Sequence, residues 1–368
     1  MRKRSYYHGA ALCAATAFFV SCTAVDAPTA EAEPPVPTKT EQTDTETKVE
    51  GFRSFAAPST VSANAAAFLN RGGDVERALN VPQSYEEWKE IQSEFDGMMG
   101  GVVNMFARTQ SIDLTEQNID GVSVYFSTPE QVSPEKANKI VLSLHGGGYV
   151  IGGGVASPIE GMFITYASGF PSVSVDYRMP PDHPFPAAIE DTAKVYEELL
   201  KTYEPEDIAF SGASAGGGLA AASILHIRDM GLPLPGAVVL NTPWSDLDKI
   251  GDTYFTLEGL DPVLITYDGL LGAMAEIYAD GEDMKNPLLS PVYGDFETGF
   301  PPSLLITGTR DLFLSNTARL HRALRDAGAS SDLLVFEGMW HGFNSVPESE
   351  PHKQEVKLFL EQHLLSEE

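Results

Sequence analysis

A chain of 368 residues, 43% hydrophobic and 21% charged, has globular composition and is long enough for one deep core or two smaller ones. Its 52 acidic residues against 24 basic ones give a formal charge of −28, which argues against nucleic acid, anionic lipid surfaces and polyanionic substrates, since affinity for such partners is carried by cations. The only cysteines are Cys13 and Cys22, so the body of the chain offers neither a disulfide framework nor a thiolate metal site.

Residues 1–21 read as an export signal. Arg2, Lys3 and Arg4 form a basic start, and residues 9–20 form an apolar run too short to span a bilayer comfortably. The run ends in Phe19-Val20-Ser21-Cys22, which resembles a bacterial lipobox and makes Cys22 the expected lipidated mature N-terminus. Cleavage near Ala24 or Ala27 is the alternative. Residues 22–51 are rich in Pro, Thr, Glu and Ala and nearly free of aliphatics, a composition that cannot bury enough apolar surface to offset its ordering entropy. A disordered tether is expected there.

Two amphipathic stretches follow. Residues 59–70 carry Val61, Ala65, Phe68 and Leu69 at near-helical spacing, with Ser62 as a candidate N-cap. Residues 84–99 place Tyr85, Trp88, Ile91 and Phe95 on one face, and Ser84 with Glu87 fits a capping box. Together they predict a helical cap over residues 52–110, ahead of a core over residues 111–368.

Beyond residue 110 the pattern changes to short β-branched runs at 121–126, 139–144, 172–176, 208–211, 237–240, 303–307 and 333–336. Helical segments at 187–203, 216–230, 315–327 and 355–365 alternate with them. Such alternation predicts an α/β fold, a mostly parallel twisted sheet with helices on both faces.

The chemistry sits in the loops of this alternation. His145-Gly146-Gly147-Gly148-Tyr149 directly follows the run ending at Leu144, and its glycines let main-chain N–H groups approach a developing oxyanion. A phosphate loop would need Gly-Lys-Ser/Thr opening a helix, which this segment lacks. Valine, aspartate, tyrosine and arginine at 175–178, then His183-Pro184-Phe185-Pro186, read as scaffold, with Arg178 paired to an internal carboxylate. Gly212-Ala213-Ser214-Ala215-Gly216 lies between a strand and a helix. It is a G-x-S-x-G elbow that lifts the Ser214 hydroxyl and leaves the Ala215 N–H at a helix start. Acyl transfer of this design calls for an acid and then a histidine further along. Asp311, in Gly308-Thr309-Arg310-Asp311-Leu312, and His341, in Gly338-Met339-Trp340-His341-Gly342-Phe343, both follow predicted strands at their carboxyl ends. No other histidine combines that order, loop position and glycine neighbour.

From about residue 52 to 366 the chain resembles the bacterial hormone-sensitive-lipase-like esterases, on the glycine loop, the 175–188 segment, the elbow and the histidine loop in that order. The resemblance implies an α/β-hydrolase core with an N-terminal helical cap and a triad of Ser214, Asp311 and His341. It also implies oxyanion donors at Gly146, Gly147 and Ala215. Two positions depart from the family: Ala213 stands where Asp or Thr is usual, and Arg310-Asp311-Leu312 replaces the commoner Asp-Pro-Leu. The expected function is a serine carboxylesterase for small acyl esters, exported and lipid-anchored to a bacterial membrane, with no metal or organic cofactor. A lactonase, amidase or peptidase on the same scaffold, or a non-catalytic surface-binding lipoprotein, is the alternative.

Overall fold

Eight strands form one sheet in the order β1-β2-β4-β3-β5-β6-β7-β8. They are β1 (Ile112–Ile119), β2 (Val122–Pro129), β3 (Ile140–Leu144), β4 (Ser172–Val175), β5 (Ile208–Ala213), β6 (Ala237–Asn241), β7 (Ser303–Gly308) and β8 (Ser331–Phe336). The computed structural model describes residues 55–344 and 346–365; the expected signal, Cys22 and the tether lie outside the described residues. The strands from β4 through β3 to β8 are all parallel, while β1 and β2 join antiparallel at one edge.

The apolar strand runs become central strands because both of their faces are covered. Along β3, Ile140, Leu142 and Leu144 face one core and Val141 the other; along β6, Val238 and Leu240 alternate with Ala237 and Val239. Helices α5 (Ala187–Leu199), α6 (Ala215–Asp229) and α9 (Leu314–Asp326) cover the first face, joined by α8 (Leu270–Ala279). The second face is covered by α4 (Ile159–Ser168), α10 (Ser349–Leu364) and α1 (Ala63–Arg71). Complete burial of Ile208 and Phe210 on β5 contributes roughly 1.5–3 kcal/mol per side chain.

The remaining helices are α2 (Val75–Leu79), α3 (Tyr85–Thr109) and α7 (Thr253–Thr256). Ser62 caps α1 as expected, accepting the Ala65 N–H. At the start of α3, Ser84 accepts the Glu87 N–H, but the Glu87 carboxylate takes the N–H of Gln83 rather than that of Ser84. The expected box is therefore shifted by one residue. The helix also runs ten residues past the expected end at Met99, through Gly100 and Gly101, because Val103 and Phe106 find a buried seat with Ile112 and Met162.

Residues 55–110 do not all lie on one side of the core. Helix α1 sits by the later loops, where Phe68 stacks on Trp340 with centroids 4.5 Å apart. Helix α3 sits by the glycine loop, with Trp88 packed among Val150 and Met274. Phe95 and Met98 stay partly exposed.

Candidate active site

From Ile208 to Leu225 every residue is buried except Ser214. The reason is steric. Strand β5 must turn into α6 within one residue, and Ser214 takes φ 57°, ψ −124° to do it, a strained conformation that persists only where its surroundings over-determine it. Its N–H donates to Asn241 O at 2.9 Å, and its carbonyl accepts from Trp244 N at 2.9 Å and from Gly217 N at 3.0 Å. A side chain at Gly216 would place Cβ 2.1 Å from Leu144 O, so only glycine lets the helix approach β3 closely enough to complete the turn.

The glycine loop lies against the elbow. A Cβ on Gly146 would sit 3.2 Å from Ser214 Cβ and 3.1 Å from Ala213 O. Tyr149 holds the loop from beyond, at φ 65° and stacked on Tyr278 with centroids 3.9 Å apart. His145 anchors its near end: its ring stacks on Tyr177 at 4.0 Å, its Nδ1 meets Gly146 O at 2.8 Å, and its carbonyl accepts the Tyr177 hydroxyl at 2.8 Å. Burial pushes the His145 pKa down to about 4. The ring is neutral near pH 7 and locks the loop rather than exchanging protons. Among the described residues, no hydrogen-bond acceptor takes the main-chain N–H of Gly146, Gly147 or Ala215. Main-chain donors rarely go unclaimed in a packed setting, and Gly146 and Ala215 flank the only accessible side chain of the elbow.

Asp311 and His341 meet in the structure. His341 Nδ1 lies 3.1 Å from Asp311 Oδ1, with His341 6% exposed and Asp311 fully buried. Asp311 is fixed from two further directions: Oδ1 accepts the Phe313 N–H at 2.9 Å and Oδ2 accepts the Thr307 hydroxyl at 2.7 Å. Burial pulls the His341 pKa down, but the Asp311 charge and hydrogen bond, with the charges of Asp261 and Glu160, outweigh it and leave the imidazole raised above its ordinary value.

A chain of contacts joins this pair to the elbow. Trp244, whose N–H holds the Ser214 carbonyl, stacks on Phe313 at 5.3 Å, and Phe313 meets the His341 ring edge-on at 4.9 Å. Among the described residues the Ser214 hydroxyl itself makes no hydrogen bond.

Arg178 pairs with Asp191 at 2.9 Å, the internal carboxylate expected for it. Arg310, the unusual neighbour of Asp311, reaches back to the carbonyl of Ala56 at 2.5 Å and so lays the start of the described chain along the acid loop.

Sequence reading missed three groups. Asp261 and Glu160 bear electrostatically on His341, yet a lone Asp-Pro and a glutamate opening a buried helix carry no signature. His352 donates from Nε2 to Asn241 Oδ1 at 2.8 Å, held neutral because burial pushes its pKa down to about 3. It thereby steadies the residue that receives the Ser214 N–H. Its place in the last helix was the only available signal.

Residues 141–345 match a family model described as the alpha/beta hydrolase fold. The chain belongs to the α/β-hydrolase family. Among curated relatives, it is 36% identical over 232 residues to an acetyl-hydrolase of Streptomyces hygroscopicus, covering 62% of this chain and 77% of that one. An ethyl acetate hydrolase of Pseudomonas putida is 26% identical over 306 residues, with 77% and 93% covered. Among solved structures, the esterase E25 superposes with a TM-score of 0.82 at 40% identity, covering 85% of this chain and 98% of that one. An esterase from the bacterial hormone-sensitive lipase family superposes at 0.70 with 28% identity, covering 82% and 97%.

Proposed function

We propose that this carboxylic ester hydrolase is a serine esterase for short acyl chains, working through Ser214, His341 and Asp311. The observation that carries the reading is the buried His341–Asp311 hydrogen bond at the strand ends, linked through Phe313 and Trp244 to the half-buried Ser214 of the elbow. With Nδ1 occupied by Asp311, the imidazole presents Nε2 as the free base. Nε2 takes the Ser214 proton as Oγ attacks the ester carbonyl, and the carbonyl oxygen gathers charge where the N–H groups of Gly146, Gly147 and Ala215 have no acceptor of their own. The imidazolium then gives its proton to the departing alkoxide. Water, deprotonated by the same nitrogen, cleaves the acyl-enzyme. Catalytic hydrogen bonds commonly tighten only when substrate binds, which accords with a Ser214 hydroxyl that is unpaired without one. The names of the acetyl-hydrolase and ethyl acetate hydrolase relatives support small acyl groups.

Turnover of p-nitrophenyl esters tests the reading. Ser214→Ala should lower kcat by roughly three to six orders of magnitude, and acetate or butyrate should be preferred over palmitate. Wild-type turnover in that variant would remove the serine mechanism; faster cleavage of long chains, lactones or amides would reassign the substrate.

A further inference from the structure

The segment between α7 and α8 brings a second carboxylate to the acid loop. Asp261 is fully buried. Its Oδ1 accepts the N–H groups of Val263 at 2.9 Å and Leu264 at 3.2 Å, and its Oδ2 accepts that of Leu312 at 2.9 Å. Leu312 is the residue after Asp311, and the next N–H, that of Phe313, goes to Asp311 itself. One short turn is thus gripped by two carboxylates on successive N–H groups. Any oxygen acceptor could satisfy Leu312, whereas a carboxylate brings a charge that is costly to bury. A charge kept in such a place calls for a use that a neutral acceptor would not serve.

We infer that Asp261 is a positioning residue for the proposed triad, acting through Asp311: it clamps the turn that carries the acid and adds a second negative charge to the field at the His341 imidazole. The inference rests on the triad reading above. Burial and the Asp311 charge push the Asp261 pKa up to about 6, against the pull of His341 and of its own N–H donors, so the charge is fully present only above that range. Three carboxylates bear on His341, those of Asp311, Asp261 and Glu160, and the Phe313 ring covers one side. Asp311 and His341 are the charged groups that bear on Asp261; from α2, Arg77 reaches only the carbonyl of Val263, at 3.4 Å. The sign follows. An ionised Asp261 favours the imidazolium, so removing it lowers the His341 pKa and leaves the base neutral at lower pH.

The test uses the full chain with Asp261→Asn, which keeps the shape and one acceptor oxygen, and Asp261→Ser, which keeps a smaller acceptor without the charge. Thermal melts establish that at least one is folded. On the pH plateau each should lose about tenfold in kcat/KM, the scale of one hydrogen bond, and the acidic limb of kcat/KM should move to lower pH. A clamp without electrostatic influence predicts the loss with the limb unmoved, and that result overturns the inference. The pH dependence of fluorophosphonate labelling at Ser214 reads the same imidazole independently of ester turnover. Wild-type protein that takes no label at Ser214 refutes the triad reading; normal labelling with an unmoved limb refutes only the role of Asp261.

Discussion

The two halves of the site are held by different physics. In the β5–α6 half, the run from Ile208 to Leu225 contains no ionisable side chain and leaves Ser214 alone half-buried among fully buried neighbours. The hydroxyl is placed by volume exclusion and main-chain hydrogen bonds. In the β7–β8 half, Asp311 accepts the Thr307 hydroxyl and His341 sits in the field of the Asp311, Asp261 and Glu160 carboxylates. The elbow should therefore be sensitive to volume and indifferent to pH, and the acid–base half the reverse.

The largest test strikes the elbow. Gly216→Ala puts a methyl group 2.1 Å from Leu144 O and 2.5 Å from His145 O, both main-chain atoms with little room to yield. Destabilisation of about 3 kcal/mol is expected, read as a lower melting temperature and lost activity together. On the other side, Thr307→Val removes the hydroxyl that donates to Asp311 at 2.7 Å. Here kcat/KM should fall about tenfold, the scale of a hydrogen bond to a charged group, with far less effect on melting. An alanine at 216 that melts like wild type, or a valine at 307 that unfolds the protein, would break the contrast.

The smallest effect sharpens it. Asp261 and Asp176 are each pushed up to about 6 and Glu160 to about 7, chiefly by burial. A folded-state pKa above the unfolded value contributes stability that is present at low pH and lost as pH rises through the folded pKa. Buried His145 and His352, pushed down to about 4 and about 3, lose stability over the same interval, so melting temperature should change little as pH is lowered from about 8 to about 5.5. Activity should decline over the same interval as His341 takes up its proton. A melting temperature that falls with activity would mean that these carboxylates do not offset the histidines.

How much of this could be read from the sequence follows the same division. The apolar strands were legible because burial on both faces leaves an unmistakable run, and the elbow because its glycines are dictated by close approach. Strand β1 escaped because Asp113, Glu116 and their neighbours are polar and lie at the open edge, with only Ile112 buried. Helices α4 and α8 escaped for the opposite reason: α4 is buried on nearly every side and α8 is apolar almost throughout, and neither has a side-chain cap to mark its start. Chain order marks the acid loop but not Asp261. Its role is set by a main-chain N–H fifty-one residues away, and no local pattern encodes that distance.

Gln92 has a consequence for the movement of α3. Its amide nitrogen, buried near the middle of α3, donates at once to the carbonyls of Val150, beside the glycine loop, at 2.7 Å and of Pro180 at 2.9 Å. Swinging α3 outward would strip both acceptors of this donor and break two bonds sheltered from solvent, at a cost of about 1–3 kcal/mol. The helix is thus pinned at two points to the main chain beside the glycine loop.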